Sequence, residues 1–426
     1  MESGSEDNSS RKLRKCCDGG EVSDGNCLIP VDRISFLPES VIRRILSFLP
    51  TKSAVATSFL SKRWSLRWTK LTCFDYKDLL WSSGSHNSDG EDENGDEEGS
   101  YSGNRGHGIS KMDFVGFVNM VLLHQDAENT IDRFHLEIKN RSLRNSPIIT
   151  WVSTAIIRNV RVLELDASSL VDDDDVDSDD AYDDYHEYEF HLPVALYTCG
   201  SLEVLKLKGA FLVKVPRVVS LPKLTVLELV SVRYQSDECI RRLISGSPML
   251  QTLAVDRYHS DDGMTVCTIS SPVLKRLRYF HESCENCDSP DDHDSKLKID
   301  APALEYLSLK DFLLEKVTLR GLTSLNEVVL EIPSHVNTVE LVQAFVHVKY
   351  LTLCDFTVRN LSEATKKLSS SFDNVTKLVV RVQCCELSYL MNLIDLCATL
   401  KVLQIEKVQS FPIHNDCWKA PNGVPR

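Results

Sequence analysis

Apolar residues follow two rhythms along the chain, separated by stretches that have neither. From Asp32 to Tyr76 the rhythm is helical: after Leu37-Pro38-Glu39, residues Ile42, Ile45, Leu46 and Leu49 stand at i, i+3, i+4 and i+7, and Pro50 stops the run. A short apolar stretch from Ala54 to Leu60 follows, and Ser61 is placed to cap a third helix with Trp64 and Trp68 on one face. The spacing therefore predicts three short helices in residues 31–77, with Arg43, Arg44 and Ser47 toward solvent. Two more helices are expected, one built on Phe114, Phe117, Val118, Val121 and Leu122. The other carries Ile148, Trp151, Val152, Ala155 and Ile156 behind a Ser146-Pro147 start.

The second rhythm is that of strands. Pairs of apolar residues one position apart begin at Phe134, Leu163, Leu205, Leu227, Leu253, Leu277, Leu307, Val328, Leu351, Leu378 and Leu403. From Leu205 the intervals are 22, 26, 24, 30, 21, 23, 27 and 25 residues, and the long interval of 42 between Leu163 and Leu205 holds an acidic insertion. A period in the twenties, one strand and one return per turn, is that of a leucine-rich repeat. A Pro-x-Leu-x-x-Leu-x-apolar phrase recurs at Pro222 to Leu229, Pro248 to Val255, Pro272 to Tyr279 and Pro302 to Leu309. Proline closes the return, the first leucine turns inward, and the last two apolar residues line the interior from alternate strand positions.

Some returns read as helices: Cys239-Ile240-x-x-Leu243-Ile244, and Leu387-x-x-Leu390-Met391-x-x-Ile394, facing the strands with Arg241, Arg242 and Asp395 wet. No repeat buries its leucines alone, so the stack forms one core. The fold class expected is α/β, an N-terminal three-helix module followed by a leucine-rich-repeat solenoid over residues 111–410. A generic α/β layer protein is the alternative that uneven intervals leave open.

Composition and charge sharpen the divisions. Residues 1–30 have no periodicity and read as a disordered leader; Arg11 to Lys15 forms a basic cluster of the kind used for nuclear import. Residues 78–110 read as an acidic flexible linker, with seven acids between Asp89 and Glu98, and 171–190 as an acidic insert, with eleven between Asp172 and Glu189. Those two runs account for more than the whole formal charge of −14, so the rest of the chain is weakly positive and no basic stripe for nucleic acid stands out. No segment is apolar enough to span a bilayer, and no signal-peptide core is present. The expected location is cytoplasmic, nuclear or both, with the fourteen cysteines as thiols, among them Cys199, Cys239, Cys354 and Cys397 as small buried apolar groups.

The chemistry of catalysis is hard to find. There is no P-loop, dinucleotide fingerprint or Gly-x-Ser-x-Gly elbow. Cys284-x-x-Cys287 with His281 and His293 offers one pair where a structural zinc site takes four ligands, and His281 lies too close for the usual spacing. The aspartates of 172–175 lack the spacing of a calcium loop. No catalytic residue, cofactor or metal is therefore assigned. The three-helix module, in contrast, is near the size below which a domain rarely folds unaided, and its surplus apolar groups suit a protein interface.

The run from Asp32 through Leu37-Pro38-Glu39 and Leu49-Pro50 to Trp64 resembles an F-box, in particular that of plant F-box/leucine-rich-repeat proteins. Residues 114–138, 151–166, 192–257 and 297–312 resemble successive blocks of the same family. The resemblance implies a non-catalytic substrate receptor of an SCF (SKP-cullin-F-box) ubiquitin ligase. Its F-box would dock on a SKP-type adaptor and through it on cullin and RING subunits, and its repeats would hold an unknown target protein. By motif match, Leu37, Pro38, Ile42, Leu46, Leu49, Pro50 and Trp64 carry adaptor binding or the fold that supports it. Residues 411–426, with Trp418-Lys-Ala-Pro421, resemble a truncated opening of the FBD domain that ends many relatives. The insertion between box and repeats implies a loose mutual orientation, unless Trp81 and its neighbours dock back.

Target recognition would fall to side chains between the inward leucines. Lys206, Lys208, Arg276, Arg278, Lys310, Lys377 and Arg381 outnumber Glu164, Glu228 and Glu331 there, which implies an acidic target patch. Two other readings stay open: a scaffold that recruits the adaptor without ubiquitin transfer, and a sensor whose repeats enclose a small molecule.

Overall fold

The computed structural model describes residues 37–78, 112–126, 128–140, 143, 145–170, 189–257, 262–281, 295–311, 314–332, 338–368, 372–382 and 387–407. The first element is helix α1 (Glu39–Leu46), with Pro38 just ahead of it and Glu39 in its first turn, where an acid suits the helix dipole. Helix α2 (Thr51–Ala56) follows Pro50. The third helix expected from Ser61 is not an α-helix: turns over 61–66 lead to a short 3-10 segment, Arg67–Lys70. The first helix also ends at Leu46, so Leu49 lies beyond it and is only half-buried.

Twelve parallel strands then form one sheet, each hydrogen-bonded to the next in chain order. They are β1 (Cys73–Lys77), β2 (Arg133–Glu137), β3 (Val162–Ala167), β5 (Val204–Gly209), β7 (Val226–Val230), β9 (Thr252–Arg257), β11 (Arg276–His281), β13 (Tyr306–Asp311), β15 (Glu327–Glu331), β16 (Tyr350–Cys354), β17 (Lys377–Val382) and β18 (Val402–Lys407). The apolar pairs fall into two continuous rows. Phe74, Phe134, Leu163, Leu205 and Leu227 lead one row by direct register, and Tyr76, Leu136, Leu165, Leu207 and Leu229 the other. Both rows are buried as far as β17, whereas Leu403 and Ile405 on β18 are exposed among the described residues. All eleven strands read from the spacing are present; β1 is a twelfth, inside the range assigned to the helical module.

Parallel strands need long connections, and these returns supply them. Helix α3 (Phe114–His124) buries all five residues its spacing picks out. Helix α4 (Asn145–Ile157) begins one residue before the expected Ser146 and buries Ile148, Trp151, Val152 and Ala155 but leaves Ile156 half-buried. Phe114 and Trp151 meet edge to face at 5.9 Å. Asp113 caps α3 through the Gly116 N–H at 2.7 Å. Helix α5 (Glu238–Ser245) buries Cys239, Ile240, Leu243 and Ile244 as expected. Further returns hold α6 (Thr338–Phe345), α7 (Asp355–Leu368) and α8 (Leu387–Asp395). In α8 the inward residues are Leu390 and Leu393, while Met391 turns to solvent.

Two small parallel sheets complete the described returns: β4 (Phe190–His191), β6 (Phe211–Val213) and β8 (Arg233–Tyr234), then β10 (Val266–Ser270), β12 (Ser295–Asp300) and β14 (Leu314–Arg320). At the end of the acidic insert, Phe190 enters β4 and Glu189 pairs with Arg233. Gly209 closes β5 at φ +80°, where a Cβ would meet the Ala167 backbone at 2.3 Å. Cys199, Cys239, Cys354 and Cys397 are buried free thiols. The expected leader 1–30, nearly all of the linker 78–110, Trp81, the cysteines of the Cys284-x-x-Cys287 pair and the tail 411–426 lie outside the described residues.

Candidate protein-binding interfaces

A single amphipathic helix buries one stripe; α1 has two apolar stripes side by side. Ile42 and Leu46 are fully buried against Trp64, Trp68 and the rest of the core. Val41, Ile45 and, just past the helix, Phe48 form the neighbouring stripe and face solvent, Phe48 at 74% exposure. Phe59, Leu60 and Leu66 are also exposed. The module is braced by the Arg67–Glu39 ion pair at 2.6 Å and by Arg63 donating to the Leu37 carbonyl at 2.5 Å. Exposed apolar side chains on a braced surface are available to a partner at about 1.5–3 kcal/mol per side chain fully buried.

The module is fixed to the sheet by several bonds. Strand β1 leaves it directly, and the Asp75 N–H donates to Thr51 Oγ1 at 2.8 Å. Buried Gln125 donates to the Leu71 carbonyl at 2.7 Å and accepts from Arg158 at 2.6 Å, while Arg158 also donates to the Leu122 carbonyl. The expected looseness between box and repeats is thereby overturned: the acidic stretch leaves the chain after β1, inside the first repeat. A surface hollow of about 360 Å3 lies beside this bracket, lined by Glu128, Asn129, Thr130, Thr154, Ile157, Arg158 and Asn159.

Parallel sheets usually bury both faces and read as unbroken apolar runs; these strands alternate and leave one face open. On it a ladder of ion pairs crosses six strands. Arg133 holds Glu164 at 2.5 Å, Lys206 lies 3.5 Å from Glu164 and 3.4 Å from Glu228, and Arg278 reaches Glu228 at 3.5 Å and Asp256 at 2.7 Å. Arg381 likewise bridges Glu331 and Glu406. Lys206, Arg278 and Arg381 are thus already engaged by acids of this chain, and Asp75, Glu137, Asp166, Asp256, Glu327 and Glu406 share the face. The excess of bases read from the sequence disappears once register supplies the omitted acids. Arg276 lies 4.4 Å over the Tyr306 ring and Lys310 4.6 Å over Phe280, both stacked on aromatics.

Beneath the sheet, a third inward row turns polar where Arg257, His281 and Asp311 stand in register. Buried Arg257 is held by both Asp262 oxygens at 2.5 and 2.7 Å and donates to Tyr279 Oη at 3.0 Å. Buried His281 lies 3.4 Å from Asp311. Among the described residues no group of three His, Cys, Asp or Glu side chains is arranged to hold a metal, and no helix is long and apolar enough to cross a membrane.

The model of the F-box domain matches residues 34–76, and the model described as FBD-associated F-box protein At5g56370, LRR repeats, matches residues 177–323. F-box protein At4g09920 of Arabidopsis thaliana is 31% identical over 326 residues, 76% of this chain and 87% of that protein. F-box/LRR-repeat protein At3g26922 of the same plant is 30% identical over 325 residues, 76% of this chain and 89% of its own length. The chain belongs to the F-box/LRR-repeat family. FBD-associated F-box protein At4g10400, also from Arabidopsis thaliana, is 33% identical over 247 residues, and there the match covers 58% of this chain and 50% of the relative.

The F-box match runs through Tyr76, so box and first strand share residues. Of the F-box residues chosen by motif, Ile42, Leu46 and Trp64 are buried in the chain's own core, Leu37, Leu49 and Pro50 are half-buried, and Pro38 is exposed. The helical spacing does not single out Val41 or Phe48, and it places Ile45 inward where the structure turns it out. The available signal is surplus: α1 has more apolar positions than one buried stripe can use.

Proposed function

We propose that this F-box/LRR-repeat protein is a substrate receptor of an SCF ubiquitin ligase. Its F-box docks on a SKP-type adaptor, and its repeats, a solenoid with the twelve-stranded sheet as its open wall, hold a target protein. It performs no bond chemistry: cullin and RING subunits bring the ubiquitin-conjugating enzyme, and tethering replaces a bimolecular encounter by a local effective concentration. The observation that carries this reading is the second apolar stripe of α1, Val41, Ile45 and Phe48, exposed on a module whose inner stripe is already buried. Ile42, Leu46 and Trp64 then act by supporting that surface, and Leu37 and Pro38 by setting the start of the helix.

Fixing of the box to the sheet through Gln125 and Arg158 supports the same reading, since a receptor must present its target at a defined distance from the transfer site. Co-purification with a SKP-type adaptor tests it. Wild type should retain the adaptor; Leu37→Ala with Pro38→Ala should lose it, and Val41→Asp with Ile45→Asp should weaken it at least 100-fold while the repeats still melt at the wild-type temperature. Equal recovery from all three proteins would refute the docking surface. A target that accumulates when the protein is removed supports ubiquitin transfer, whereas unchanged target levels would point to a stoichiometric scaffold.

A further inference from the structure

The two halves of the open sheet face differ in what they leave for a partner. From β2 to β11 the long side chains are tied to one another by the ion-pair ladder. From β13 to β17 the middle row is short and uncharged, Ser308, Val329, Thr352 and Val379 in direct register. This row is the floor of a trough that crosses the strands. Along one wall, also in register, run Arg276, Tyr306, Glu327, Tyr350 and Lys377.

That wall has the composition of a binding hot spot, Arg and Tyr beside a flat floor. Arg276 is exposed and held in place by the Tyr306 ring at 4.4 Å, and Tyr350 is 42% exposed. Among the described residues neither Arg276 nor Lys377 has an ion pair, so the wall offers a cation at each end and one carboxylate, Glu327, at its middle. With strands spaced about 4.8 Å apart, the backbone positions that carry the two cations stand roughly 19 Å apart, the span of about six residues of extended chain.

We propose that the trough receives an extended, acidic segment of the target, with carboxylates six residues apart reaching Arg276 and Lys377 and short or apolar side chains lying on the floor. Period two puts residues i and i+6 of an extended segment on one face, and the residues between them bring a hydrogen-bond donor to Glu327. The ion-pair ladder between β2 and β11 is structural and lies outside this contact. The inference rests on the reading of the open sheet face as the target surface.

The test uses the full chain in complex with a SKP-type adaptor and a displayed library of random twelve-residue peptides as the probe. Selected peptides should carry Asp or Glu at i and i+6, and Arg276→Glu with Lys377→Glu should weaken them at least tenfold. Lys206→Ala should leave their affinity unchanged. Adaptor retention and a single cooperative melting transition establish that the variants fold. Selection of peptides without the paired acids, or of none, overturns the proposal, as does equal binding by the double variant. Any of those results with the adaptor still bound counts against the trough and leaves the F-box reading standing; loss of adaptor binding by wild type counts against that reading instead.

Discussion

The same chemistry appears twice in this protein with different physical weight. The Arg257–Asp262 bracket lies under the sheet with both side chains almost fully buried, while the ladder from Arg133 to Arg278 lies on the open face with Arg133 and Arg278 about half exposed. Buried charges have given up their water and depend on each other, so the pair is costly to break even where forming it gains little. Exposed charges keep their solvent option, and each pair contributes up to about 1 kcal/mol. The bracket anchors a segment, since Asp262 also accepts from the Met264 N–H at 3.0 Å and Arg257 donates to the Met264 carbonyl. The ladder follows the register of the neighbouring parallel strands, which the buried apolar rows set.

The largest effect should follow from breaking the bracket. Asp262→Ala leaves a guanidinium buried among Tyr279, Met264 and the apolar rows, and should cost about 3–5 kcal/mol, read as a fall in the urea midpoint. Arg257→Met combined with Asp262→Leu removes both charges and should recover a large part of that loss. A single variant no worse than a ladder variant would erase the distinction between the two regions.

How much of this was legible follows the same division. The inward rows are visible in the spacing because leucines at positions one apart have no other use in a strand with one open face. Strand β1 is missed although Leu71-x-x-Phe74-x-Tyr76 has the form of Leu224-x-x-Leu227-x-Leu229, because 57 residues separate Tyr76 from Phe134 and most of them lack any pattern. Arg257 and His281 keep inward parity with Leu253 and Leu277, which is a signal of burial, but parity alone does not name Asp262 as a partner. The ladder is illegible for a related reason: whether Lys206 is available or neutralised depends on cross-strand register, which composition does not contain. On α1, periodicity finds apolar positions without saying which of two adjacent stripes is covered.

A smaller effect is expected from the ladder itself. Lys206 stands between Glu164 and Glu228, so Lys206→Met removes two attractions and leaves two carboxylates on strands either side of β5. The loss should be about 1 kcal/mol in dilute buffer and should shrink as salt is raised through the range where the Debye length falls below 10 Å. Urea midpoints at low and high salt check this. A salt-independent loss would mean that the lysine stem matters through packing on the sheet, and would bring the two regions closer together than their exposure suggests.

The finest contrast lies between two aspartates on the open face whose carboxyls shift in opposite directions. His135 Nδ1 at 2.6 Å from Asp75 is the main reason that this carboxyl is held below its ordinary 3.8; burial opposes the shift, and the charges of His135, Lys77 and Arg133 add to it. Asp256 is pushed above 3.8 because burial outweighs the charge and hydrogen bond of Arg278, with Glu228 adding to the rise and Lys208 reducing it. For Asp75 the folded state favours the carboxylate, so its contribution to stability is complete above 3.8 and is lost as pH falls through the lower folded value. For Asp256 the folded state favours the protonated acid, so its contribution is present below 3.8 and is lost as pH rises through the higher folded value. Asp75→Asn should therefore flatten the stability profile on the acid side of that value, and Asp256→Asn should flatten it on the other side. Urea midpoints measured from about pH 3 to 6 resolve the two slopes. Parallel changes in both variants would show that burial, and not the hydrogen bond from His135, sets the protonation of this face.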